Sequence, residues 1–80
     1  MKLNPKALGF TLAIILGGFW FIAMGFSLMT GIGQNTIKIL GGLHPFFHYT
    51  LSGLLMITIQ HVIAGFIIGW ISGRIYNKFI

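Results

Sequence analysis

Two long runs of uncharged, mostly apolar residues dominate the chain and leave few folds open to it. The first, Ala7 to Met29, is about 23 residues and would extend roughly 34 Å as an α-helix, enough to cross a hydrocarbon core of about 30 Å with a little tilt. The second, Thr50 to Ser72, is equally long and stops before Arg74. Eleven residues of the first run are Leu, Ile or Phe. Each favours insertion by roughly 0.3–0.6 kcal/mol, so the run enters a bilayer without needing a partner. Lys2 and Lys6 resemble the n-region of a signal peptide. The apolar run, however, exceeds the usual length of about 7–15 residues and no Ala-x-Ala site follows it, so the segment reads as a retained span. The pattern predicts one domain over residues 1–80. Its class is an all-α membrane protein, a hairpin of two transmembrane helices spanning about 7–29 and 50–72.

Between the spans, Thr30 to Tyr49 carries the turn chemistry: Gly31, Gly33, Gln34 and Asn35, then Gly41 and Gly42, then Pro45. At about 20 residues this connection is long enough to hold structure of its own. Ile37, Ile39 and Leu40 around Lys38 predict a short interfacial helix over Asn35–Leu40, lying at the membrane surface. Phe46, Phe47 and Tyr49 precede the second span as interfacial aromatics, and Trp70 and Tyr76 anchor its far end. Lys2 and Lys6 flank the first span, Arg74 and Lys78 follow the second, and the connection holds only Lys38. Basic residues are retained on the cytoplasmic side, so the expected location is a prokaryotic inner (cell) membrane with both termini cytoplasmic.

Composition narrows the chemistry. The chain has no Asp or Glu and no Cys, which removes carboxylate acid–base work, hard-cation sites, thiol nucleophiles and thiolate metal sites. The expectation is therefore a protein that is not an enzyme. The formal charge of +5 is wholly one-signed. It favours anionic lipid headgroups at the cytoplasmic face, or an acidic partner surface, and not nucleic acid, because the cations sit at span ends and form no patch.

The most informative pattern is the spacing of small residues. In lipid no hydrophobic force drives helices together, so close backbone approach must supply the attraction. Gly65, Gly69 and Gly73 form a GxxxGxxxG ladder whose face extends back through His61 and Ile57 to Gly53. The first span has a counterpart in Gly9, Ala13 and Gly17, continued after Phe21 by Gly25. Both ridges are expected to be helix-packing faces, against the other span, another copy or a different protein.

Gln60 and His61 fall at mid-span, where polar side chains are costly and turn toward protein. Trp20 lies at nearly the same depth, close in angle to Gly17, so an indole N–H contact to the imidazole is a reasonable expectation. The plain reading is that these three satisfy polar neighbours and fix register. The functional ones make His61 an axial haem ligand, a metal ligand or a proton carrier. His44 and His48 would share a helical face as a metal pair, but Pro45 disfavours helix at His44 and no carboxylate or Cys supports them. No cofactor is expected; the alternative is haem or metal held by His61, or by His44 and His48, shared with a partner.

The segments LNPKALGF, LGGLHPFFHYTLSG and AGFIIGWISGRIYNKF together resemble a family of small two-helix prokaryotic membrane proteins often labelled holin-like, the bacteriophage holin family. The resemblance runs over nearly the whole chain. Members commonly carry an acidic residue before the Gly-Phe of the second span. Ala64 stands there in this chain, so a role for an embedded carboxylate does not carry over. The label implies pore formation by homo-oligomers. The residues themselves point first to an accessory or structural subunit, packing by glycine-rich faces against a larger membrane complex such as a respiratory or oxidase-type enzyme. Its partners would be other integral membrane proteins or copies of itself.

Overall fold

A computed structural model describes residues 2–80. Among these residues it contains three helices and no strand: α1 (Pro5–Thr30), α2 (Gln34–Gly41) and α3 (Leu51–Lys78). The two long ones are each long and apolar enough to cross a membrane. They pack side by side as an antiparallel hairpin, with α2 in the connection.

Each helix has a local reason to begin where it does. The Asn4 side-chain oxygen accepts from the N–H groups of Lys6 and Ala7 at 3.0 and 3.2 Å, and Pro5 occupies the first turn, where its missing N–H is not needed. Gly31 closes α1 with φ of 77° and gives its N–H to Ser27 O at 2.7 Å, a left-handed cap that suits glycine. Thr50 caps α3, its hydroxyl accepting from Gly53 N at 3.3 Å. At its far end α3 continues six residues past Ser72. A charge ends an apolar run but need not end a helix, because Arg74 and Lys78 can carry their heads outward on long stems. That extra stretch closes the termini: Asn77 accepts from Leu3 N–H and donates to Leu3 C=O, both at 2.8 Å.

The glycine ridges face each other within the one chain. A Cβ added at Gly65 would lie 2.6 Å from Leu12 O and 2.9 Å from Ala13 Cα. At Gly69 it would meet Leu8 O at 2.6 Å and Gly9 Cα at 2.7 Å, and at Gly73 it would meet Pro5 Cα at 2.9 Å. Four residues along α3 thus match four residues back along α1, and only hydrogen fits between the backbones. From the other side Gly9 is roofed by Phe66, whose ring also meets Phe10 edge-on at 5.0 Å between centroids. Val62 and the Thr58 carbonyl cover Gly17. Toward the connection the interface widens, and Trp20, Met24, Leu54 and Ile57 fill it with Ile37 of α2.

The connection does not project from the hairpin. The chain measures 46 Å along its longest axis, little more than the roughly 42 Å of α3 alone. After the left-handed glycines Gly31 and Gly33, α2 turns back along α1, so that Ile37 and Leu40 share a groove with Phe19, Trp20 and Ala23. α2 is thus the short helix expected in the connection, and it lies back along α1. Of its apolar residues Ile37 is buried in the core, whereas Ile39 and Leu40 stay exposed. The chain then climbs back to α3 through His44–Thr50, with Phe46 at φ 60° making the turn. Gly53 belongs to this return, since a Cβ there would collide with the His48 backbone.

Candidate functional site

The connection, folded back along α1, brings together residues that lie far apart in the chain. His44, just beyond α2, comes to rest against α1 and α3 at the level of Trp20 and His61. Ring centroids are 4.8 Å apart for His44 and His61, 5.2 Å for Trp20 and His61, and 5.7 Å for Trp20 and His44. Trp20 is buried and both imidazoles are half-buried. A cleft of about 230 Å³ opens beside them, lined by His44, Gln60, His61 and Ala64.

Hydrogen bonds define what each group can do. His61 Nδ1 lies 2.9 Å from Ile57 O and His44 Nδ1 lies 3.1 Å from Leu40 O, in each case the carbonyl four residues earlier. A carbonyl only accepts, so Nδ1 of each neutral ring carries the hydrogen and Nε2 holds a free lone pair. Gln60 donates from Nε2 to Pro45 O at 2.8 Å. At the turn near Tyr49, the tyrosine and Ser27 hydroxyls are hydrogen-bonded at 2.5 Å between oxygens, either being able to donate, which pins the end of α1 to the return.

The expected intramembrane polar set of Trp20, Gln60 and His61 is thus gathered in one place, although the Trp20 contact to His61 is ring against ring and not through the indole N–H. His44 joins it, and sequence spacing does not reveal that. His48 does not pair with His44: it is exposed on the return, where its backbone packs against Gly53. A bis-imidazole haem needs its two rings on opposite faces of one iron, farther apart than 4.8 Å, so this pair does not fit two axial positions within a chain. Among the described residues no group of three or more His, Cys, Asp or Glu could hold a metal. Of the helix-packing residues, Gly9, Ala13, Gly17, Gly65, Gly69 and Gly73 lie between α1 and α3, whereas a Cβ at Gly25 meets nothing within 4 Å.

A second polar feature sits at the opposite end. Lys2, Arg74 and Lys78 converge with Pro5 and Asn77 on a cleft of about 310 Å³. With no acidic side chain anywhere in the sequence, no side chain compensates their charge. Arg74 also lies over the Trp70 ring, 4.9 Å from its centroid. Sequence reasoning passed over the Asn4–Pro5 cap signal and the Asn77 clamp; the Asn-Pro pair ahead of an apolar run was a readable start signal. No protein-family model, curated protein or solved structure matches the chain.

Proposed function

We propose that this protein is a small accessory subunit of a larger membrane complex, a preassembled hairpin that packs against the helices of other integral membrane proteins and carries out no reaction itself. The observation that carries this reading is the pair Gly18 and Gly25. They lie two turns apart on one face of α1, and a Cβ at either meets nothing within 4 Å. Glycine inside a helix is disfavoured by about 1 kcal/mol relative to alanine, and the hairpin gains nothing from these two. A neighbouring helix approaching that face would. Large apolar side chains including Ile14, Phe21 and Ile22 are exposed around them, as a surface facing lipid or protein helices requires.

The same reading places the protein in a prokaryotic inner membrane with both termini cytoplasmic, since four of the five cations cluster at the end that Asn77 closes. Anionic lipid headgroups are the natural occupants of the Lys2–Arg74–Lys78 cleft. The holin-type alternative has less behind it, because the ladder and Gln60, which it would use between copies, are engaged inside the chain.

The test is mild-detergent extraction of the tagged chain, followed by native mass measurement and identification of co-purifying proteins. Membrane partners in fixed ratio are expected, and Gly25→Leu should release them while leaving the hairpin folded. Recovery of wild type only as a free homo-oligomer would overturn the reading.

A further inference from the structure

The end of the hairpin where the termini meet is built for a particular kind of headgroup. We propose that the cleft of Lys2, Arg74 and Lys78 binds the terminal phosphate of a lipid, a phosphomonoester as in phosphatidic acid, in preference to the phosphodiester of other anionic lipids. The inference rests on the reading of this cleft as an anionic-headgroup site and specifies the headgroup.

One pair of hydrogen bonds brings the three cations together. Asn77 accepts from Leu3 N–H and donates to Leu3 C=O, both at 2.8 Å, so the residue next to Lys2 is tied to the end of α3. Lys2 thereby lines one cleft of about 310 Å³ with Arg74 and Lys78, which are themselves one turn apart on α3. Arg74 lies over the Trp70 ring, 4.9 Å from its centroid, and this stacking holds the planar guanidinium in place. Pro5, in the first turn of α1, forms part of the cleft wall, so the positive end of that helix adds to the field. The sequence has no acidic side chain to draw these cations away from a ligand.

Counting charges and oxygens selects the phosphate. A phosphodiester carries one negative charge and two unesterified oxygens, whereas a phosphomonoester carries about −1.5 to −2 near pH 7 and three oxygens. Three cationic side chains find one oxygen each on the monoester. On the diester one of them is left without an oxygen of its own. The surroundings also say how the phosphate arrives. A second cleft, of about 210 Å³, shares Arg74 and Lys78 and continues along α3 past Trp70, Ile71 and Ile75. It leads from the cations toward the apolar part of the span, where the glycerol and the first acyl carbons of a lipid would lie. A soluble phosphate gains nothing from that wall.

The test mixes the full chain, in neutral detergent, with equal amounts of phosphatidic acid and phosphatidylmethanol of identical acyl chains, and counts bound lipid by native mass spectrometry. The two lipids differ by one methyl ester, which isolates the third oxygen and the second charge. Phosphatidic acid should be retained about fivefold more, the worth of about one cation contact at a membrane surface. Lys2→Gln, Arg74→Gln and Lys78→Gln should each bring the two lipids to within about twofold of one another, and Lys38→Gln, in the connection, should keep the preference. Equal retention of the two by wild type, with both still above phosphatidylcholine, would overturn the assignment and leave the general headgroup site standing. Equal retention of all three would remove both. An undiminished preference in the three cleft variants would place the phosphate elsewhere on the chain and so overturn the assignment. Displacement of phosphatidic acid by an equal amount of soluble glycerol 3-phosphate would overturn the lipid as the source.

Discussion

Gly69→Ala is the sharpest test of the ladder, because the added methyl group would meet only backbone. It would sit 2.6 Å from Leu8 O, 2.7 Å from Gly9 Cα and 2.9 Å from Gly9 N, and none of these atoms can rotate away. Relaxed carbon–oxygen contacts are about 3.3–3.6 Å, so the helices must separate locally by roughly 0.7–1 Å. A gap of that size forfeits about a quarter to a half of each dispersion contact it opens, and it also acts on the Gly65 and Gly73 steps one turn away. Overpacking typically costs about 1–3 kcal/mol, and three coupled steps place this case near the top of that range. Alanine returns about 1 kcal/mol of helix propensity, leaving a net loss of about 2 kcal/mol. Gly25→Ala is the control: it gains the same propensity and meets nothing. The two variants should therefore differ by about 3 kcal/mol in hairpin stability. The chain has no cysteine, so Lys2→Cys and Lys78→Cys provide unique sites for a fluorescent donor and acceptor, and their separation can be followed as the SDS fraction of mixed micelles rises. Equal midpoints for Gly69→Ala and Gly25→Ala would refute backbone-to-backbone packing at this step.

The other expectations concern the end where the termini meet. Asn77→Leu removes both hydrogen bonds to Leu3 and should lower stability in the same assay by about 1–3 kcal/mol, at about 0.5–1.5 kcal/mol per bond; no change would mean that the clamp is incidental. Arg74→Gln and Lys78→Gln should each weaken retention of an anionic phospholipid by about fivefold, corresponding to about 1 kcal/mol per cation, while leaving phosphatidylcholine unaffected. Native mass spectrometry of lipid-bound protein reads both, and equal retention of the two lipids by wild type would remove the basic cleft as a headgroup site.

The spans and the ladder were legible in the sequence because both depend on spacing along one helix. Three glycines at intervals of four define a face whatever lies opposite. What lies opposite was not legible: Gly69 reads the same whether it meets Gly9 of its own chain or a residue of another. The direction of α2 was hidden for a related reason. Gly31 and Gly33 mark a turn, and both take positive φ, but glycine's freedom leaves open where the chain goes next. Helical spacing offers only His44 with His48 as a pair, and Pro45 speaks against it; the contact that forms is His44 to His61 across the fold. Contacts between elements follow from where the connection docks, and local periodicity carries no record of that.

The docked connection also accounts for the most expensive residue in α3. Counting back from Gln60 to Leu51 puts the amide about 14 Å inside the helix, where a polar side chain needs a partner. Pro45 reaches that level with no N–H of its own and a carbonyl that the turn leaves free, and Gln60 supplies the donor. The turn itself is strained, since a bulky residue at φ 60° costs on the order of 1–3 kcal/mol. Within a bilayer crossed by α1 and α3, an unpaired carbonyl costs several kcal/mol, so the Gln60 bond outweighs the strain and holds Phe46 where it is. The same bond sets the height of His44, the neighbour of Pro45, and so places its ring beside Trp20 and His61. One glutamine at mid-span thereby couples the fold of the connection to the assembly of the histidine pair.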